Sequence, residues 1–341
     1  MPPTWQSVID GADRYSIEQS DAIDFLRRLP DDAVDLVVTS PPYTDARLYL
    51  EGGQDLGIAR GAEEWVTWMA EVCHELRRVC KGLVAIVCEG RTKGYRYCCS
   101  PFLLMADLCR AGFAMRKPPV FHKVGIPGSG GPDWWRNDWE PVVCFARGGR
   151  LPWSDSTATG KPPKYEPGGE MSHRCASGAR VNEWGGNGSS TFRRRDRSME
   201  RQTGRALQKA KQTKAEVMGV AGPLLTGIEE EDDAANGVAF TPPFLANPGN
   251  VIKVSVGGGT LGSPLAHRNE APFPEKLVEP FVRCFCPPGG IVLDPFAGSG
   301  TTLAVAVAWG RRALGCDLRE SQVALARERL SAVTPTLFPE G

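Results

Sequence analysis

Five short apolar runs alternate with longer segments of helical periodicity, and this alternation limits the chain to one class of fold. The runs are rich in Val, Ile, Leu and Ala and cover residues 33–38, 83–88, 141–146, 291–294 and 312–317. Each is short and continuously apolar, which is typical of a strand buried on both faces of a parallel sheet. The helical patterns cover residues 22–29, 62–80, 101–111, 274–285, 301–309 and 321–330. The alternation predicts an open, doubly wound and mostly parallel α/β sheet.

The alternation stops in the middle of the chain. From about residue 148 to residue 262, Gly, Pro, Ser and Arg dominate and apolar periodicity disappears. A basic run from Arg193 to Lys214 is followed there by the acidic block 229–233. We therefore predict that residues 1–150 and 263–335 are two halves of one α/β domain, and that residues 151–262 form an irregular insertion.

Composition excludes several classes of protein. A chain of 341 residues with 41% hydrophobic residues can form a packed core, which excludes a wholly disordered protein. No apolar run approaches the roughly 18–20 residues of a membrane span, and the N-terminus has no signal pattern, so we expect a cytoplasmic protein without a membrane partner. The 11 cysteines are scattered, which favours a reduced protein. The 40 basic and 40 acidic residues give a net charge of zero. Contact with nucleic acid depends instead on whether the basic residues are clustered.

A glycine-containing turn joins the strand at 291–294 to the helix that follows it. The turn reads Asp-Pro-Phe-Ala-Gly-Ser-Gly-Thr-Thr over residues 294–302. Glycines let the backbone pass close to a ligand, and the start of the helix offers N–H groups to it. Asp317 ends the next strand, where a carboxylate suits the hydroxyls of a ribose. The pattern predicts a nucleoside-type cofactor, and alone it leaves S-adenosylmethionine and NAD(P) open.

The tetrapeptide Ser40-Pro41-Pro42-Tyr43 follows the first predicted strand. Two prolines cannot continue a central strand, so the chain leaves the sheet there. The tetrapeptide resembles the catalytic motif of the DNA amino-methyltransferases, and this resemblance implies a base amine as the acceptor. Such an amine is a poor nucleophile because its lone pair is delocalised into the ring. The Ser40 hydroxyl and a carbonyl at Ser40 or Pro41 can accept the amine protons, and Tyr43 offers a face for stacking of a flipped base. A similar tetrapeptide at 241–244 has no strand pattern before it, and we assign it to a loop.

Together these motifs resemble those of the DNA amino-methyltransferases. Residues 294–302 resemble their S-adenosylmethionine-binding loop, and residues 39–43 resemble their catalytic tetrapeptide, (Asp/Asn/Ser)-Pro-Pro-(Tyr/Phe). The catalytic motif comes first and the cofactor loop last, which is the circularly permuted order of their β-class. The resemblance covers residues 17–150 and 265–330. It implies a methyltransferase fold, S-adenosylmethionine as cofactor, double-stranded DNA as substrate and target recognition by residues 151–262.

The resemblance also implies roles for individual residues. The expected catalytic residues are Ser40, Pro41, Pro42 and Tyr43. The residues expected to bind S-adenosylmethionine are Asp21, Phe273, Lys276, Asp294, Pro295, Phe296, Gly298, Gly300, Thr301, Thr302 and Asp317. The expected phosphate contacts come from Arg193, Arg194, Arg195 and Arg197 of the basic run. No residue is assigned to a metal, and the role of His267 stays open.

Two cues favour the N4 amine of cytosine over the N6 amine of adenine. The tetrapeptide begins with Ser40, where many adenine enzymes of the family carry Asp or Asn, and residues 273–277 resemble the cofactor helix of the cytosine members. Adenine stays the alternative, because either base presents a conjugated amine. No Pro-Cys pair is present to supply the thiolate that methylation of cytosine C5 needs.

Two functions from other classes of protein fit the sequence less well. An NAD(P) oxidoreductase would leave the Ser-Pro-Pro-Tyr motif without a role, and a non-catalytic DNA-binding protein would need neither motif. A companion restriction endonuclease stays open, as does the oligomeric state, including a dimer.

Overall fold

A computed structural model describes residues 3–44, 50–51, 54–55, 61–125, 133–161, 171–174, 180–183, 248–256, 263–268 and 274–334. The chain divides into two units. One unit is Met1–Gly160 with Asn247–Gly341, and the other is Lys161–Ala246.

The strands are numbered along the chain. They are β1 (Tyr15–Gln19), β2 (Val34–Thr39), β3 (Leu50–Glu51), β4 (Gln54–Asp55), β5 (Cys80–Val87), β6 (Thr92–Lys93), β7 (Arg96–Tyr97), β8 (Ala114–Met115), β9 (Val120–Val124), β10 (Trp139–Ala146), β11 (Met171–Arg174), β12 (Arg180–Glu183), β13 (Val251–Ser255), β14 (Ile291–Asp294) and β15 (Arg312–Asp317). Three pairs form separate two-stranded hairpins, namely β3 with β4, β6 with β7, and β11 with β12. The last of these hairpins lies in the second unit.

One mixed sheet forms the centre of the first unit. Its strand order is β1-β15-β14-β2-β5-β10-β9-β13, and β8 also pairs with β10. The first five strands of this order all run parallel to one another. Strand β10 runs antiparallel to β5 and to β9, and β13 is parallel to β9. The sheet therefore interleaves strands from both ends of the chain, as the sequence predicts.

Helices cover both faces of this sheet. They are α1 (Trp5–Ile9), α2 (Ala22–Arg28), α3 (Ala62–Val79), α4 (Ser100–Arg110), α5 (Glu275–Phe285), α6 (Thr301–Ala308) and α7 (Glu320–Ser331), and a 3-10 helix covers Pro264–Arg268. None of the helices in the described ranges is long and apolar enough to cross a membrane.

The two faces form two separate apolar clusters, because alternate residues of a strand point to opposite sides. On one face, Val37 and Ile86 of the sheet share a cluster with Phe25, Trp65 and Leu104 of α2, α3 and α4. On the other face, Val38 and Ala85 share a cluster with Phe281, Leu303 and Val323 of α5, α6 and α7. Burying each large apolar side chain contributes about 1.5–3 kcal/mol. The doubly wound α/β fold is confirmed.

The insertion is narrower than predicted. Strand β13 lies inside residues 151–262 but pairs with β9 in the main sheet. Residues just after 150 also belong to the first unit, since Asp155 N donates to Cys284 O at the end of α5 across 2.8 Å. The sequence signal for β13 is weak because it is an edge strand, and of its side chains only Val254 is fully buried.

A bulge between β2 and β5 requires a residue without a side chain. The register shifts there between Val34 and Leu36, and a Cβ atom on Gly82 would lie 1.9 Å from the Asp35 carbonyl oxygen. Asp35 in turn accepts a hydrogen bond from Ile291 N of β14 and pairs with Lys81. Gly82 therefore lets three strands meet at this point.

We predict that Gly82→Ala forces β2 and β5 apart. The free energy of unfolding should fall by about 1–3 kcal/mol, the usual cost of overpacking, or by more. Denaturant titration measures it. Gly148→Ala is the control, because a Cβ atom there meets nothing within 4 Å. Equal stabilities of the two variants would contradict the prediction.

Candidate active site

The two sequence motifs lie side by side at one edge of the sheet. Because β14 and β2 are parallel neighbours, their carboxyl ends meet there. The chain leaves β14 for α6 on one face and leaves β2 for α3 on the opposite face. The crevice outside the carboxyl ends at such a switch point is the usual ligand site of open α/β sheets. The glycine turn follows β14, and Ser-Pro-Pro-Tyr follows β2.

A buried hydrogen bond joins the two motifs. Thr39 Oγ1 donates to Asp294 Oδ1 across 2.6 Å, and Phe296 N donates to the same oxygen across 3.0 Å. Thr39 and Asp294 are both 0% exposed. The second carboxylate oxygen, Asp294 Oδ2, is buried and has no partner among the described residues. Burial raises the pKa of Asp294 to about 6, against the opposing effect of its hydrogen bonds. A cationic group or an N–H donor of a ligand would give Asp294 Oδ2 the hydrogen-bond partner that it lacks among the described residues.

Asp317 fixes the glycine turn in place. Its Oδ2 accepts from Gly298 N across 2.9 Å and its Oδ1 accepts from Arg319 N across 3.0 Å. Burial raises the pKa of Asp317. Gly300 has a φ of 75°, a conformation that favours glycine, and a Cβ atom on it would lie 2.9 Å from Ala326 Cβ. The turn thus keeps its backbone open at the start of α6 while α7 packs behind it.

The two threonines of the turn are used inside the fold. Thr302 Oγ1 donates to Val38 O across 3.1 Å, and Thr301 Oγ1 accepts from Arg329 Nη1 across 2.9 Å. Both residues are buried. Their hydroxyls therefore tie α6 to β2 and α7. At the start of α6 only their backbone N–H groups can be offered to a cofactor, because the first turn of a helix has no internal acceptors.

The remaining residues that were predicted to bind the cofactor lie in different parts of the structure. Asp21 caps α2 through its Oδ1, which accepts from Ile23 N across 2.8 Å. It also lies near Asp317, because the preceding Ser20 N donates to Asp317 O. Phe296 contacts the edge of Trp68, with ring centroids 5.5 Å apart. Pro295 lies between Asp294 and Phe296 in the turn, and Lys276 is exposed in the first turn of α5. Phe273 and the arginines Arg193, Arg194, Arg195 and Arg197 lie outside the described residues.

The tetrapeptide is held by a chain of side chains. Ser40 Oγ donates to the Tyr43 hydroxyl across 3.4 Å, and that hydroxyl donates to Glu140 Oε2 across 2.9 Å. Lys123 Nζ donates to Glu140 Oε1 across 2.8 Å. Trp65 Nε1 donates to the Pro42 carbonyl across 2.7 Å. Among the described residues, none donates a hydrogen bond to the carbonyls of Ser40 and Pro41.

Glu140 and Lys123 were missed by the sequence analysis. Burial and the charge of Glu140 raise the pKa of Tyr43 well above its ordinary value, so the phenol stays neutral. The sequence signal that could have identified Glu140 is a carboxylate directly before the apolar run 141–146. Only the antiparallel pairing of β10 with β5 brings the start of β10 to the carboxyl ends of β2 and β5.

The described residues contain no cluster of three or more His, Cys, Asp or Glu arranged to hold a metal ion. The groups that the described residues bring to this edge are hydrogen-bond acceptors, a buried carboxylate and backbone N–H groups.

We predict that Asp294→Asn changes how the stability of the free protein depends on pH. The folded state keeps the Asp294 proton up to a pH of about 6, whereas the unfolded chain loses it near its ordinary value of 3.8. The contribution of Asp294 to the free energy of unfolding should therefore fall as pH rises from about 4 to about 6 and then level off. Asparagine cannot ionise, so the variant should lack this fall, which amounts to about 3 kcal/mol at most.

Chemical unfolding at a series of pH values measures this difference. The exposed Asp133→Asn is the control and should follow the wild type. If Asp294→Asn also follows the wild-type pH profile, the assignment of a buried carboxylate with a raised pKa is wrong.

The comparisons with known proteins agree on one protein family. A family model described as DNA methylase matches residues 34–328. The chain is 33% identical over 113 residues to the type II methyltransferase M.ScaI of Streptomyces caespitosus, a match that covers 33% of this chain and 37% of that protein. It is 41% identical over 61 residues to the DNA adenine methyltransferase YhdJ of Escherichia coli, covering 18% and 21%. These matches thus span well under half of the relatives.

A solved structure has the same fold. The PvuII DNA methyltransferase, named as cytosine-N4-specific, superposes with a TM-score of 0.57 at 17% identity. The superposition covers 96% of this chain and 89% of that one.

Proposed function

The chain belongs to the DNA methylase family, and from this membership we propose that it moves a methyl group from S-adenosylmethionine to an exocyclic amine in double-stranded DNA, with N4 of cytosine as the acceptor. The observation that carries the proposal is the Thr39–Asp294 hydrogen bond, which joins the cofactor turn to the catalytic tetrapeptide. In a DNA methyltransferase the methyl donor and the acceptor amine must meet, and these two motifs occupy adjacent strand ends.

The residues after β14 fit S-adenosylmethionine. The unpartnered, buried Asp294 Oδ2 suits the ammonium group of the methionine end. Asp317 and Asp21 bring carboxylates to neighbouring strand ends, where the ribose hydroxyls and the adenine amine would be held. The N–H groups of Ser299, Thr301 and Thr302 remain as backbone donors. When bound, S-adenosylmethionine supplies an electrophilic methyl group on a sulfonium.

The residues after β2 prepare the amine. Ser40 Oγ donates its own hydrogen to Tyr43, which leaves the oxygen lone pairs free to accept an amine N–H. The carbonyls of Ser40 and Pro41 supply further acceptors. Two acceptors draw the amine toward a tetrahedral geometry, and the lone pair then points out of the base. Trp65 and Glu140 hold the loop and the tyrosine in place, so positioning supplies much of the rate.

The acceptor base is assigned on residue type. A serine hydroxyl is a short, neutral acceptor, and the tetrapeptide begins with Ser40. Adenine N6 is the second candidate, because a relative that shares 41% identity over 61 residues is named as a DNA adenine methyltransferase. The two assignments share one mechanism and differ only in the base that reaches the tetrapeptide.

The insertion is proposed to recognise the DNA target. Its basic run, with Arg193, Arg194, Arg195 and Arg197, would contact phosphates and so add affinity without choosing the sequence. With DNA as its substrate in a bacterium, archaeon or phage-infected cell, the protein is proposed to act in the cytoplasm.

Product analysis tests the function. The protein is incubated with duplex DNA of mixed sequence and methyl-labelled S-adenosylmethionine, and the DNA is digested to nucleosides and identified by mass. We expect N4-methylcytosine. N6-methyladenine as the sole product would overturn the choice of base and leave the amine chemistry standing. Absence of any labelled nucleoside would overturn the proposed function.

We predict that Ser40→Ala loses turnover but not cofactor affinity. The hydroxyl acts on the amine and not on the sulfonium, so kcat should fall by about 100-fold or more, as when one acceptor or donor aimed at a transition state is removed. The dissociation constant of S-adenosylmethionine, measured by calorimetry, should stay the same. Ser331→Ala, at an exposed site on α7, is the control. A parallel loss of cofactor affinity would contradict the assigned role.

A further inference from the structure

A short hairpin after β5 carries an exposed aromatic side chain at its tip. Strands β6 and β7 are joined by Gly94 and Tyr95, and residues 92–97 are all exposed. Tyr95 is 78% exposed and has a φ of 62°. A tyrosine in the left-handed region is strained and buries little of its own surface here. Internal packing therefore does not account for a tyrosine at this position.

The tip is also basic. Lys93 and Arg96 flank Tyr95, are exposed and have no ion-pair partner among the described residues. Glu89, the carboxylate at the base of the hairpin, accepts hydrogen bonds from the Tyr97 hydroxyl and from Gly90 N instead. The surface therefore combines one free aromatic ring with two uncompensated positive charges.

The base of the hairpin is fastened to the catalytic loop. Cys98 Sγ accepts from Arg91 N across 3.0 Å and contacts Thr44 Oγ1 across 3.5 Å. Thr44 directly follows Tyr43, and the hairpin itself follows the carboxyl end of β5, the strand next to β2. The tip thus projects from the same edge of the sheet that carries the tetrapeptide.

We propose that the β6–β7 hairpin is a DNA-contacting element, in which Lys93 and Arg96 contact phosphates and Tyr95 stacks in the duplex beside the base that leaves it. The proposal rests on the proposed function, since it takes DNA as the partner. Positive side chains gain affinity by releasing counterions from the phosphates. An aromatic ring that fills the gap of an extruded base recovers part of the lost stacking. The charge and the ring have separate, measurable effects.

The charges are tested by DNA binding alone. In Lys93→Gln/Arg96→Gln, the slope of log affinity against log salt should become less steep by about 1.8, because two phosphate contacts are lost. Arg14→Gln/Arg150→Gln is the matched control. It also removes two exposed cations without described ion pairs, from the opposite edge of the sheet, and its slope should equal that of the wild type. An unchanged slope in the hairpin variant, or an equal loss in the control, would overturn the phosphate contacts.

The ring is tested by duplexes that differ at the target base. The methylated site is first located by sequencing DNA treated with the wild type. Tyr95→Ala should slow methylation of the paired duplex by about 5- to 150-fold, the range of one aromatic stacking contact. The loss should shrink when the target base is mismatched, because extrusion then costs less. Tyr95→Phe should keep most of the wild-type rate.

The outcomes separate the two proposals. If the wild type methylates DNA and Tyr95→Ala does so equally well, the stacking role is overturned and the function stands. An equal loss on paired and mismatched duplexes would also overturn it. If the wild type methylates no DNA, the proposed function fails, and the salt slopes still decide whether the hairpin contacts DNA.

Discussion

The hydrogen bond from Thr39 to Asp294 is the contact on which the site depends, because it joins residues 255 positions apart at adjacent strand ends. Strands β2 and β14 pair only at two described positions, Leu36 with Val292 and Val37 with Leu293. The side-chain bond extends this junction beyond the ladder, to the point where both chains leave the sheet. The order of the two motifs along the chain therefore matters little, since strand pairing and not sequence proximity brings them together.

The burial of Asp294 that accompanies this contact lowers the stability of the free protein. A fully buried carboxylate with one oxygen unpartnered is costly, and the raised pKa of Asp294, about 6, records that cost. A ligand that brings a positive donor to Oδ2 would offset that cost. Burial of Asp294 thus destabilises the free protein and would increase the free energy gained when a positive donor binds. Asp317 differs, because backbone N–H groups already occupy both of its oxygens.

Local patterns predicted the elements that carry the chemistry. Strands β14 and β15 begin and end at the predicted residues, because both are continuous apolar runs that end in a carboxylate. The glycine turn and the tetrapeptide were recognisable because Gly and Pro interrupt such runs. Thr301 and Thr302 were predicted to bind the cofactor, but their hydroxyls form hydrogen bonds inside the fold. Their partners, Arg329 and Val38, come from other elements and are not visible in the local sequence.

Features set by pairing between distant segments were not predictable in the same way. Glu140 reaches Tyr43 because β10 is antiparallel, and a parallel β10 would have placed it at the opposite edge. The hairpin at 92–97 has little apolar character, and its position beside the Ser-Pro-Pro-Tyr loop depends on Cys98 and Thr44. Strand β13 lies at the sheet edge with little buried surface, so its pattern resembles that of a loop.

The most direct test of this account is the proton balance of cofactor binding near pH 6, measured by calorimetry in two buffers of different ionisation enthalpy. Asp294 has a pKa of about 6 in the free protein and must be ionised to hold an ammonium group. Binding of S-adenosylmethionine at that pH should therefore release about half a proton per site. The release should disappear in Asp294→Asn. Equal binding heats in the two buffers for the wild type would contradict the claim that Asp294 is the buried acceptor of the cofactor.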